Sequence, residues 1–220
     1  MSRVLCIETS TTNCSVALGQ DGELIALKED NGKQYSHAER LHVYIQELFN
    51  QVNVDLREID AVAVSKGPGS YTGLRIGVSA AKGLCYSLDK PLYAVNTLKA
   101  LAKQVQANPT DVVIPMLDAR RMEVYSAVFS SENELLREIK AEILTQDSFA
   151  TELTKGKVHF IGNGVAKFQE ICTHENAVFY PEALPSAKEM IALADQKTKN
   201  SQSEDVAYFE PYYLKDFVAG

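Results

Sequence analysis

The sequence has few of the signatures that usually disclose a function. No stretch approaches the roughly 18 uninterrupted apolar residues that a membrane span requires. The opening residues MSRVLCIETS show no long apolar core followed by a small-residue cleavage site, so the expected compartment is the cytoplasm. Basic residues are outnumbered, 22 Lys and Arg against 29 Asp and Glu, for a net charge of -7. An acidic surface repels a phosphate backbone, which argues against autonomous nucleic-acid binding through a broad basic face. The four cysteines, Cys6, Cys14, Cys85 and Cys172, contain no CxxC pair, and three sit in apolar segments. They read as small buried hydrophobes. His37 and His42 are five apart, so one helix cannot aim both at a single ion as the four-residue spacing of HExxH does. Cys172 and His174 form a lone pair, short of the four ligands of a structural zinc site, so no metal is expected.

Turn chemistry and hydrophobic patterning are well represented. Val4 to Thr9 and Ser15 to Leu18 are apolar runs separated by the turn-favouring Ser10-Thr11-Thr12-Asn13, and Asp21-Gly22 leads into a third strand from Glu23 to Leu27. Ser36 and Glu39 have the spacing of a capping box, ahead of a helix with Leu41, Ile45, Leu48, Phe49 and Val52 on one stripe. Asp60 to Ser65 reads as a buried strand, Tyr71 to Leu88 as a long helix, and Leu92 to Val95 as a short strand. The order is β-β-β-α-β-α-β. A new strand pair, Val112 to Asp118 and Glu123 to Phe129, then turns at Asp118-Ala119-Arg120-Arg121. Ile143 to Phe149 is weakly patterned; Val158 to Ile161 is a strand entering the turn Gly162-Asn163-Gly164. Pro185 to Asp195 reads as a helix, Lys197 to Asp205 as a polar linker, and Pro211 to Leu214 as an aromatic tail. Strand pairs opening both halves point to a duplicated α/β lobe. Residues 1–101 carry 10 basic and 11 acidic side chains and 102–220 carry 12 and 18, so the acidic excess falls in the second half.

Gly67 to Gly77 reads GPGSYTGLRIG between a strand and a helix, where free amides and the helix dipole can hold an anion. It has no Walker A frame, and its glycines run GxGxxxG, one residue longer than the dinucleotide fingerprint. Ser70 is no nucleophile elbow, since Pro68 and Thr72 stand where GxSxG needs glycine. Gly73, Gly77, Ala80 and Ala81 follow helical spacing and leave one face nearly bare, which permits close approach by the sheet, by a neighbouring helix or by a partner. Close packing and anion binding both remain open on these residues alone.

Cys6 to Leu18, CIETSTTNCSVAL, resembles the first-strand phosphate hairpin of the actin, heat-shock chaperone and sugar kinase (ASKHA) superfamily. Together with GPGSYTGLRIGVSAAKGL (67–84), MLDARRMEVYSAVF (116–129), GNG (162–164) and PYYL (211–214), the chain resembles the TsaB (YeaZ) family, small paralogues of the TsaD transferases. The resemblance implies an α/β fold of two RNase H-like, actin-like lobes: a complete β-β-β-α-β-α-β lobe over 1–101 and a reduced one over 102–220.

It also implies a non-catalytic subunit of the bacterial machinery that makes threonylcarbamoyladenosine beside the tRNA anticodon. Such a subunit pairs with TsaD and the ATPase TsaE, or with a second copy of itself. It meets tRNA only through the complex and leaves ATP and metal to its partners. Other readings of the superfamily are a small ATP-binding kinase or ATPase and, further off, a glycoprotease-like peptidase.

In the catalytic paralogue a stretch NHMEAH supplies two metal-binding histidines; here Asn96 to Leu101 reads NTLKAL, with Thr97 and Leu101 at those positions. A vestigial phosphate region is expected at Glu8, Ser10, Thr11, Gly67, Gly69 and Ser70. The partner or dimer interface is expected at Leu41, Ile45 and Phe49 of one helix and Gly73, Leu74, Gly77 and Val78 of the other.

Overall fold

A computed structural model describes residues 2–30, 32 and 36–215. They divide into two compact units: residues 1–100 with 185–220, and residues 101–184. The first unit is built on strands β1 (Arg3–Glu8), β2 (Cys14–Gln20), β3 (Glu23–Asp30), β4 (Ala61–Ser65) and β5 (Leu92–Val95) in the order β3-β2-β1-β4-β5. β1 pairs antiparallel with β2 and parallel with β4, and β4 runs parallel to β5.

Central strands of a sheet covered on both faces read as continuous apolar runs. That is why Leu5 and Ile7 of β1 enter one core while Val4 and Cys6 enter another. Over the first face lie helices α1 (His37–Val52) and α2 (Tyr71–Leu88), with Leu41, Ile45, Leu48 and Phe49 of α1 and Val78, Ala81 and Cys85 of α2 in the core. Ser70 caps α2 by accepting from the Gly73 amide at 3.2 Å. A short helix, α3 (Thr97–Ala102), follows β5.

The second unit repeats the scheme with β6 (Val112–Asp118), β7 (Glu123–Ser130), β8 (Leu135–Ile143), β9 (Val158–Ile161) and β10 (Ala177–Tyr180) in the order β10-β9-β6-β7-β8. Its strands are complete. What shrinks is the helical layer: α4 (Ala150–Leu153) and α5 (Val165–Gln169) have 4 and 5 residues where α1 and α2 have 16 and 18. Edge-to-face rings fill the space, with Phe160 and Phe168 centroids 4.9 Å apart and Phe149 5.5 Å from each.

Three expectations change. A second lobe running from 102 to 220 is not what forms: it ends at Leu184, and the chain returns to the first unit. There α6 (Ala187–Lys199) lays Met190, Ile191 and Ala194 against Val4, Cys6, Ala63 and Tyr93, the face that α1 and α2 leave bare. The reason is coverage: without α6 that apolar face of the sheet has no lid. Second, Ser36 makes no side-chain cap on α1; its carbonyl accepts from the Glu39 and Arg40 amides instead. Third, the polar stretch after α6 is anchored, since the Glu204 amide donates to the Leu92 carbonyl of β5 at 2.8 Å.

Candidate functional site

The residues expected at a phosphate region do come together in the first unit, where the turn after β1 meets the loop before α2. The fit is close enough to leave no room between them. A Cβ on Gly69 would stand 2.5 Å from the Ser10 carbonyl oxygen, and one on Gly73 or Gly77 would collide with the Thr9 carbonyl or hydroxyl. Thr9 Oγ1 donates to the Gly73 carbonyl at 2.8 Å, and the Ser70 amide donates to the Ser10 carbonyl at 2.7 Å. The small face of α2 therefore receives the sheet's own turn.

Several amides of this loop are engaged inside the chain. The Gly67 amide donates to Thr97 Oγ1 at 3.1 Å, the Gly73 amide to Ser70 Oγ at 3.2 Å, and the Leu74 amide to the Ser70 carbonyl at 2.9 Å. Gly67 itself adopts φ 105°, a conformation only glycine takes easily. Thr11 lies buried under His37, whose Nε2 is 2.7 Å from the Thr11 carbonyl.

Glu8 sits at the floor of this contact, fully buried. Its Oε1 accepts from the Ser10 amide at 2.6 Å and the Ser65 hydroxyl at 2.9 Å, while Oε2 has no hydrogen-bond partner among the described residues. Burial pushes its pKa up, opposed by the hydrogen bonds from Ser10 and Ser65. A carboxyl held toward its neutral form is a poor holder of Mg-bound water. Thr97 is buried and serves as the acceptor for Gly67; Leu101 is a buried apolar residue of the second unit. Neither side chain is a transition-metal ligand. All four cysteines are free and buried, and burial pushes the Cys14 and Cys85 thiols up to about 11, so these are not thiolates at neutral pH.

The expected interface residues are misplaced. Leu41, Ile45, Phe49, Leu74 and Val78 are buried in this chain's own core region, and Gly73 and Gly77 face Thr9, so none of the seven is on the surface. The exposed side of the same two helices is different. His42 of α1 with Arg75, Ile76, Ser79, Ala80, Gly83 and Leu84 of α2 line an open groove of about 540 Å³. Nothing lies within 4 Å of a Cβ built on Gly83. Val43 and Tyr86, on the same helices, are 48% and 86% exposed. The signal for this face was present: Ile76, Ala80, Gly83 and Leu84 form a second small-apolar stripe on α2, and a helix apolar on two sides needs two neighbours.

Comparison with known proteins places this arrangement. The family model described as "TsaD: tRNA N6-adenosine threonylcarbamoyltransferase" matches residues 32–220. The chain belongs to this family, on its TsaB (YeaZ) branch. It is 30% identical over 99% of its length to the tRNA threonylcarbamoyladenosine biosynthesis protein TsaB of Escherichia coli, covering 96% of that protein. TsaB of Haemophilus influenzae is 31% identical, with 98% of this chain and 94% of that protein aligned. Among solved structures, a Pseudomonas aeruginosa protein described as similar to peptidase YEAZ superposes with a TM-score of 0.83, at 27% identity, over 98% of this chain and all of that one. An activator of 2-hydroxyisocaproyl-CoA dehydratase from Clostridium difficile, at TM-score 0.51 and 12% identity over 91% and 96% of the chains, shares the actin-like ATPase fold.

Proposed function

We propose that the chain is a non-catalytic subunit of the machinery that forms threonylcarbamoyladenosine on tRNA, pairing with the TsaD transferase and working with the ATPase TsaE. One observation carries the non-catalytic part. At the two positions where the catalytic paralogue has metal-binding histidines, Thr97 is committed to the Gly67 amide and Leu101 is a buried hydrophobe. The engaged loop amides and the neutral tendency of Glu8 support the same reading, in which ATP and metal are handled by the partners.

Pairing with TsaD is assigned to the groove between α1 and α2 rather than to the buried stripe beneath it. A second copy of this chain is the competing occupant when TsaD is absent. Contact with tRNA is indirect, in keeping with the net charge of -7. The test is reconstitution with TsaD, TsaE, tRNA and threonylcarbamoyl-adenylate. Modified tRNA is expected only when this chain accompanies TsaD, and none from this chain by itself. Turnover by the isolated chain would refute the scaffold reading.

A further inference from the structure

Asp111, His159 and Tyr180 lie diagonally across three neighbouring strands of the second unit. His159 of β9 is in register with Val113 of β6 and Val178 of β10. Residues two apart on a strand share a face. Tyr180, at the end of β10, and Asp111, two before Val113, therefore stand on the same side of the sheet as His159. Val158 and Phe160, which flank His159, enter the phenylalanine core, so the three polar residues occupy the opposite face.

The contacts run in one line. His159 Nε2 is 3.1 Å from Asp111 Oδ2, and His159 Nδ1 is 3.3 Å from the Tyr180 hydroxyl. The same Asp111 oxygen accepts from the Asn108 amide and from Asn108 Nδ2, each at 3.0 Å. Burial pushes the Asp111 pKa up, but the hydrogen bonds from His159 and Asn108 outweigh it and hold the carboxyl below its ordinary value. An ionised Asp111 only accepts, so Nε2 donates to it. The neutral imidazole then carries its lone pair on Nδ1, facing the Tyr180 O–H.

A brace between strands has no need of this chemistry. Asp111 and His159 are both buried, and a buried carboxylate–imidazole pair is costly beside apolar side chains of the same volume. Tyr180 alone of the three reaches solvent, 39% exposed on an edge strand. The order is that of an orienting acid, a base and a hydroxyl nucleophile, open at the hydroxyl end.

We propose that Tyr180 is a base-assisted nucleophile, a site of covalent modification by activated acyl donors, with His159 as its base and Asp111 as a positioning residue. The Tyr180 oxygen attacks the acyl carbon, and the phenolic proton passes to His159 Nδ1. Asp111 holds the imidazolium. The bond from the acyl carbon to the leaving group breaks, and the leaving group departs with the electron pair and takes the proton from His159. The product is a tyrosine ester. The site lies wholly within residues 101–184 and does not depend on the scaffold reading.

The test treats the whole chain with limiting N-acetylimidazole near neutral pH and locates the esters by peptide mass spectrometry. Exposure alone ranks Tyr86 and Tyr208, at 86% and 84%, ahead of Tyr180. The proposal expects the reverse, with Tyr180 acetylated about tenfold faster than either, or more. In urea the three should react at one rate. His159→Gln and Asp111→Asn should each return Tyr180 to the rank its exposure gives, while Tyr86 and Tyr208 keep their rates. Asp111→Asn is diagnostic, because an amide donating to Nε2 puts the imidazole proton on Nδ1, facing the phenol, a change that a strand brace would not register. Labelling of the parent chain in order of exposure overturns the proposal without any variant. Fast labelling of Tyr180 that survives both substitutions overturns it as well.

Discussion

Glu8 shows how burial can change the chemistry of a carboxyl group. The sequence alone places a carboxylate at the end of the first strand. Its burial is a tertiary property, set by how tightly the 67–70 loop closes over Ser10. Because its pKa is raised in the folded state, the native chain holds a proton that the unfolded chain releases. Stability therefore falls as pH rises from the ordinary carboxylate range through the raised value. Glu8→Gln, which preserves shape and keeps an acceptor for Ser10 and Ser65, should remove that dependence. Its melting temperature relative to the parent should climb with pH. A parallel pair of melting curves from pH 5 to 8 would show instead that Glu8 is ionised and compensated.

At the scale of elements, α2 holds the lesson about what a pattern can and cannot reveal. The small-residue face of Gly73, Gly77, Ala80 and Ala81 was evident from spacing, and so was the capacity of Gly73 and Gly77 for close approach. Which neighbour approaches was not, because spacing records that side chains are missing and not what fills the gap. The two faces make opposite predictions for the same substitution type. Gly77→Ala puts a methyl against Thr9 and should cost about 1–3 kcal/mol in a denaturation experiment. Gly83→Arg extends into open space and should leave stability unchanged or slightly improved, since glycine is a poor helix former, yet abolish TsaD pull-down. Arginine at Val78 would not separate these effects, because that side chain is buried.

The elements that escaped the sequence reading share a physical cause. β8 is an edge strand with exposed Leu135, Leu136 and Ile143 and two register irregularities against β7, so its alternation is blurred. β10 has only four residues, and α4 and α5 are too short for a helical period to be seen. The apolar central strands, by contrast, were placed to within a residue or two.

At the scale of the whole molecule, a duplicated α/β lobe was suggested by the strand pairs opening each half, although only three of the second unit's five strands were read. The return of the chain was not foreseeable, because α6 reads as an amphipathic helix that would suit either unit. Its role makes the first unit discontinuous in sequence. Ending the chain after Leu184 should therefore do more than trim a tail. It strips the lid from Val4, Cys6, Ala63 and Tyr93 and is expected to abolish cooperative unfolding of the first unit, while residues 101–184 keep their own core. Amide exchange would register this as lost protection in β1 and β4 with protection in β6 retained. Protection surviving in β1 would mean that the α1/α2 face alone carries the sheet.

The same discontinuity has a consequence on the ribosome. When α3 has been made, the first sheet has all five strands but only one covered face, and α6 lies some 90 residues further along. At about 5–20 residues per second, that face waits roughly 5–20 s for its cover. The second unit, being continuous, can settle during the delay. The surfaces of the first unit then mature only in chains translated through α6. An early-terminated product would carry an open apolar sheet, marking it for chaperones or proteases before it could occupy a place in an assembly.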